Sequence, residues 1–337
     1  MPDRQVRPFP SDDARERPRI LAIAGTGQNG STLVSRLLGE LPGLVAIGEV
    51  GRLWDKGLIE GVECSCGEPV ASCPFWSEVG RTGFGGWDRV DAERATWLRE
   101  SLVLKDSRFP HPFALPFLLA PGLWPSYRAR LEEYQALMST LYGAIDEVSG
   151  GRTIVDAMKI PAHVYMLSGL RQRYDIRYLH LIRDSRGVAN SNAKVVRRQG
   201  SLEDRPFRGQ RGPVKSAVRW TWFNLSSEVL AGVRRMPMSR MRYEEFVGDP
   251  AAALRVVGDR FGIEIGEDDL GFLQGREADL SPGHLVAGNR MRLHSGPITI
   301  VEDAAWRRDL PERSQRIVTT LTWPLLRHYG HLPSGHP

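Results

Sequence analysis

Ile20-Leu21-Ala22-Ile23-Ala24-Gly25-Thr26-Gly27-Gln28-Asn29-Gly30-Ser31-Thr32 sets an unbroken apolar run against a glycine-rich loop. A short run without polar alternation suits a strand covered on both faces, as in a parallel sheet. Beyond the loop, Leu33, Val34, Leu37, Leu38 and Leu41 recur at helical spacing and stop before Pro42-Gly43. Leu44 to Ile47 reads as a second strand. In a strand, glycine loop, helix and strand unit, unpaired N–H groups and the positive end of the helix dipole face the same point, so the loop is an anion site.

Outward from this unit, further strands alternate with helices. The pattern predicts strands at Thr153 to Val155, Ile176 to Ile182 and Met238 to Arg242. Helices are expected at Asp91 to Leu104, Ser126 to Val148, Ser185 to about Arg197, Val214 to Arg235, Ala251 to Phe261 and Pro311 to Tyr329. The remainder of Gly51 to Pro125 is rich in Gly, Pro and Trp and reads as irregular elaboration. Gln199 to Pro213 reads as a surface loop, and Gly283 to Pro297 as a Gly-rich basic loop. The fold class is therefore α/β: a P-loop-like three-layer fold with a central, mostly parallel sheet flanked by helices. Residues 19–330 form that domain, 1–18 a flexible arm and 331–337 a flexible tail.

The chain has 337 residues, 41% hydrophobic and 25% charged, which excludes a mainly disordered or fibrous protein. A net charge of +5 favours anionic ligands, but its basic residues are scattered rather than gathered into runs, which argues against nucleic acid. Three cysteines, Cys64, Cys66 and Cys73, make no framework for a small secreted fold. With no leader-like segment and no run of about 18 apolar residues, the expectation is a cytoplasmic protein without stable membrane insertion.

Three readings of the loop compete. Gly25-x-Gly27-x-x-Gly30, with Glu49 about 20 residues on, fits the dinucleotide fingerprint of an NAD(P)-binding oxidoreductase. Gly25, Gly30 and Thr32 fit an NTPase loop, but Ser31 stands where its lysine would be. The third reading adds Leu179-His180-Leu181-Ile182-Arg183-Asp184-Ser185 and Ser191: an arginine at a strand end and a serine two helical turns later make a second anion site. Ser31-Thr32 would cap the helix and offer hydroxyls to the first phosphate.

With both motifs in order, the chain resembles the sulfotransferases that use 3′-phosphoadenosine 5′-phosphosulfate (PAPS), in the bacterial branch related to carbohydrate and tyrosylprotein enzymes. The resemblance covers most of Arg19 to Gly330 and includes Gly48-Glu49, Cys64-x-Cys66-Gly67 through Cys73-Pro74-Phe75-Trp76, Met241-Arg242-Tyr243-Glu244 and Gly288-Asn289-Arg290-Met291-Arg292. It implies that Gly27, Gln28, Asn29, Gly30, Ser31 and Thr32 hold the 5′-phosphosulfate, while Arg183 and Ser191 clamp the 3′-phosphate. It also implies that Tyr243 lies near the nucleotide, that Arg292 approaches its phosphates, and that Glu49 is the base. The co-substrate would be PAPS, no metal would be needed, and the acceptor would be a small or carrier-bound hydroxyl or amine.

The family has Lys or Arg where this chain has Gln28. An amide donates a hydrogen bond but offsets no charge, which admits a non-catalytic nucleotide-binding relative and makes Lys159 or Arg292 the substitute cation. Other residues carry blander expectations. No nearby histidine completes a zinc set with the three cysteines, so they read as reduced packing residues or an opportunistic disulfide. Trp54, Trp76 and Trp87 line an acceptor pocket or pack the core. His163 and His284 act as acid or base or are structural, and Arg197-Arg198 ends a helix or extends the 3′-phosphate site.

Overall fold

The computed structural model describes residues 17–102, 114–194, 196–197, 206–208, 211–302 and 304–332. The opening unit is β1 (Arg19–Ala24), α1 (Ser31–Gly39) and β2 (Leu44–Gly48). A wide helical turn of π type follows at Leu53–Ile59, then α2 (Pro74–Phe84), α3 (Ala92–Leu102), α4 (Ala114–Leu119) and α5 (Pro125–Val148). Next come β3 (Thr153–Asp156), α6 (Pro161–Ser168), β4 (Asp175–Ile182) and α7 (Ser185–Ala193). The short strands β5 (Val196–Arg197) and β6 (Pro206–Arg208) precede α8 (Pro213–Val233), β7 (Met238–Arg242), α9 (Tyr243–Gly248) and α10 (Pro250–Phe261). The chain continues through β8 (Leu273–Gln274), β9 (Glu277–Leu280), β10 (Gly296–Thr299), α11 (Trp306–Asp309) and α12 (Glu312–His328).

Five strands form one parallel sheet in the order β2-β3-β1-β4-β7. The apolar run that opened the argument sits at its centre, with Ile20 paired to Ile154 on one side and Ile176 on the other. Alternation along β1 divides the core. Ile20, Ala22 and Ala24 join Tyr142, Ile145 and Val164 from α5 and α6, while Leu21 and Ile23 join Val34, Leu37 and Leu38 of α1 and Leu254 and Val257 of α10. Each face is thus covered, which is why the strand carries no polar alternation.

The strand order also discriminates among the loop readings. In a dinucleotide fold the second strand lies beside the first, which brings its terminal acid to the loop. Here β3 intervenes, so the end of β2 lies two strand spacings away, ~10 Å. The dinucleotide alternative is not favoured.

Several expectations need correction. Gly51 to Pro125 holds more helix than its composition suggested, because Pro74 and Pro125 stand in the first turn of α2 and α5, where a missing N–H costs nothing. Helix α6 went unread because every residue of it is buried, leaving no amphipathic period. Helix α7 stops at Ala193 instead of Arg197: Lys194 turns extended and Val196–Arg197 pairs with Pro206–Arg208. An antiparallel sheet, β10-β9-β8, adjoins the basic loop. The expected arm falls outside the described residues up to residue 16, but Pro18 already accepts a bond from Asp175 N. The expected tail begins with His331, whose side chain is buried and whose pKa burial lowers to about 4; residues 333–337 lie outside the described residues. The side chains of Arg197 and Arg198, and most of Gln199 to Pro213, also lie outside them. Among the described residues no helix is long and apolar enough to cross a membrane.

Candidate functional site

The carboxyl ends of all five parallel strands open on one side of the sheet, where α/β folds bind ligands. A cavity of about 520 Å³ lies there, within the ~300–1,000 Å³ usual for small-molecule sites. Gly27, Gln28, Gly30, Ser31 and Thr32 come to it from the loop after β1, and Glu49 from the end of β2. Lys159 follows β3, Arg183 and Ser191 follow β4, Tyr243 follows β7, and Arg292 arrives on the basic loop. Of the nucleotide-binding and catalytic residues that the resemblance implies, all but Asn29 line this one cavity.

Local geometry explains the loop's composition. Gly25 has φ +136°, and a Cβ there would stand 2.5 Å from Leu181 O. Gly30 has φ +88°, and its Cβ would stand 2.1 Å from the Tyr243 ring. Both positions therefore demand glycine for conformation and for space. Gln28 adopts φ 70° despite its side chain, and its carbonyl accepts a 2.7 Å bond from Arg183 Nη1. The Arg183 guanidinium lies 5.2 Å from the Tyr243 ring centroid. The two anion cradles expected from sequence thus touch directly.

Several residues expected at the ligand also bond the protein's own backbone. Asn29 is fully buried, donating to Leu181 O at 3.0 Å and accepting from Ser31 N at 3.1 Å. Its side chain fastens the loop to β4 and does not reach the cavity. Ser31 and Thr32 do not cap α1; the cap position is Gly30, and Thr32 Oγ1 accepts from Asn289 N at 3.2 Å. Arg292 Nη1 donates to Glu63 O at 2.7 Å, and burial pushes its pKa below the ordinary arginine value. It holds the basic loop against the Glu63 segment while forming part of the wall.

Glu49 and Lys159 form an ion pair at 2.5 Å, both partly buried, with Lys159 also donating to Ala157 O at 3.3 Å. Two lining cations lie outside every motif read from the sequence: Arg52, which pairs with Asp55 at 2.7 Å, and Lys56, which pairs with Glu60. Their signal was spacing, since Glu49, Arg52 and Lys56 fall at i, i+3 and i+7 and share a helical face. Asp55 is also bound by Arg99 at 2.6 Å. Burial pushes the Asp55 carboxyl up, but the hydrogen bonds from Arg99 and Arg52 outweigh it and hold the pKa at about 2.

Among the described residues the wall carries six cations, Arg52, Lys56, Lys159, Arg183, Arg290 and Arg292, and one acid, Glu49, with Arg52 and Lys56 also paired to Asp55 and Glu60. Such an excess of positive charge in a concave site favours a ligand with several negative charges.

The remaining candidates lie elsewhere. Trp54 and Trp76 are fully buried core residues, and Trp87 packs over Gly80; none lines the cavity. His163 is buried beneath the sheet, with Nε2 2.7 Å from Asp156 Oδ2, which also accepts from Tyr142 Oη at 2.6 Å. The cysteines form no disulfide. No histidine near them in sequence adjoins them, but the fold brings His284 to them across more than 200 residues of chain.

No protein-family model matches the chain, and no curated protein sequence does. Among solved structures it is similar to the sulfotransferase domain from the curacin biosynthetic pathway, at 18% identity over 90% of this chain and 98% of that one, TM-score 0.48. It is also similar to the sulfotransferase domain from the Synechococcus PCC 7002 olefin synthase, at 15% identity over 92% and 96% of the two chains, TM-score 0.43. A sulfotransferase from Mycobacterium avium is 14% identical over 96% of this chain and 80% of that one, TM-score 0.47.

Proposed function

We propose that the chain is a sulfotransferase that moves the sulfuryl group of PAPS to a hydroxyl or amine acceptor. The observation that carries this reading is convergence: the loop after β1, Arg183 with Ser191, and the basic loop meet at one cavity rich in cations. Two adjoining anion sites in one cavity suit a single nucleotide phosphorylated at both ends. Of the motifs through which the sequence resembles the family, the glycine loop, Glu49, Arg183 with Ser191, Tyr243 and Gly288 to Arg292 meet there.

In the proposed step the acceptor oxygen or nitrogen forms a bond to sulfur as the bond from sulfur to the 5′-phosphate oxygen breaks. The bonding pair leaves with 3′,5′-adenosine bisphosphate, and the acceptor's proton passes to the Glu49 carboxylate. Glu49 starts ion-paired to Lys159. Once protonated it no longer balances the ammonium, whose charge is then available to the oxygen that is gaining charge. This supplies the cation missing at Gln28, where an amide offers only a hydrogen bond.

Calorimetry with 3′,5′-adenosine bisphosphate, NAD and ATP tests the reading. The bisphosphate should bind most tightly, and Arg183→Ala should weaken it roughly 10- to 150-fold, the equivalent of ~1.5–3 kcal/mol for a hydrogen bond to a charged group. A preference for NAD, or indifference to Arg183, overturns it. Tight bisphosphate binding without turnover on any acceptor would point instead to the non-catalytic relative.

A further inference from the structure

Cys64, Cys66 and Cys73 lie on one short segment, and His284 on the basic loop, yet their four ligand atoms all fall within 4.8 Å of one another. Cys73 Sγ is 3.5 Å from Cys66 Sγ and 3.4 Å from His284 Nδ1, and Cys64 Sγ is 4.0 Å from the same nitrogen. A tetrahedral zinc ion with Zn–S of ~2.3 Å and Zn–N of ~2.05 Å separates its ligands by ~3.8 Å for sulfur pairs and ~3.6 Å for sulfur and nitrogen. The two sulfur–nitrogen spacings bracket that value, and the 3.5 Å sulfur pair lies slightly inside its own. We propose that Cys64, Cys66, Cys73 and His284 form a structural zinc site.

The surroundings are those of a metal knuckle and not of loosely packed thiols. Gly67, with φ +97°, turns the chain just after Cys66, and Gly67 N closes the turn on Cys64 O at 2.9 Å. The His284 ring is stacked on Phe75 at 4.8 Å and 12°, and its carbonyl accepts from Trp76 Nε1 at 2.8 Å, so its Nδ1 is aimed by two neighbours. Ser65 binds Leu285 twice, N to O at 3.2 Å and Oγ from N at 2.8 Å, which joins the knuckle to the histidine's strand of chain. A disulfide would engage two of these residues and leave no task for the other two. Three thiolates and an imidazole with no open position match closed structural zinc sites.

The site has a mechanical consequence. His284 begins the segment that carries Gly288, Asn289 and Arg292 into the cavity wall, and the knuckle's neighbour Glu63 holds Arg292. Zinc would staple that wall to the body of the protein through ligands distant in sequence. The proposal does not depend on the identity of the cavity's ligand.

Elemental analysis of the full chain, purified reduced and without chelator, should find about one zinc per molecule, with Cys73→Ser and His284→Ala each retaining less than about 0.2. Because those variants could misfold, the deciding measurement uses wild-type protein stripped of metal and titrated with cobalt(II). Saturation at about one equivalent with the intense visible bands of tetrahedral thiolate-bound cobalt, bleached by zinc, is the expected result. A folded, fully reduced chain that retains no zinc and gives no such spectrum overturns the proposal. So does a disulfide between Cys66 and Cys73 in freshly purified protein.

Discussion

Gly30→Ala isolates the contact that fixes the shape of the anion loop. The added methyl would force a left-handed residue with a side chain, at about 1–2 kcal/mol. It would also stand 2.1 Å from Tyr243 Cε2, where the ring must move, an overpacking cost of about 1–3 kcal/mol. Together these predict a destabilisation of about 2–5 kcal/mol, with a displaced ring that no longer backs Arg183. Urea denaturation of wild type, Gly30→Ala, Tyr243→Ala and the double variant separates the two parts. With the ring gone only the backbone cost remains, so the coupling energy should equal the overpacking part, about 1–3 kcal/mol. Equal effects of Gly30→Ala in both backgrounds would refute the claim that glycine is required here by the ring.

Three further outcomes follow from the site. Asn29→Ala removes the donor to Leu181 O and the acceptor of Ser31 N and should cost about 1–3 kcal/mol in urea unfolding; a change below about 0.5 kcal/mol would deny Asn29 its bracing role. Glu49→Gln should lower turnover ~10²–10⁴-fold while shifting bisphosphate affinity less than about threefold, and full activity would remove Glu49 as the base. Asp55, whose pKa falls from 3.8 to about 2 on folding, contributes stability that is present above pH 4 and lost as pH falls toward 2. In Asp55→Asn that acid-dependent loss should shrink, and an unchanged stability profile below pH 4 would contradict the assignment.

The parts of the fold legible in sequence were those in which burial dictates composition. β1 had to be apolar on both faces and to end in glycine, so it announced itself, and with it the sheet. Helix α6 is buried all round, and β8 and β9 run only two and four residues, so neither carries a period to read. The cavity was legible because its residues follow strand ends. Side-chain roles within it were less so: Asn29, Thr32 and Arg292 have the chemistry of anion ligands, yet their bonds go to the protein's own backbone. The place of His284 beside the cysteines was invisible because they lie more than 200 residues away, a proximity that only the folded chain creates.

The most direct test of the central claim is a crystal structure with 3′,5′-adenosine bisphosphate bound. One molecule should span both cradles, its 5′-phosphate against the amides of Gly27 to Thr32 and its 3′-phosphate at Arg183 and Ser191. A nucleotide that occupies one cradle and turns its other phosphate away from the second would contradict the account.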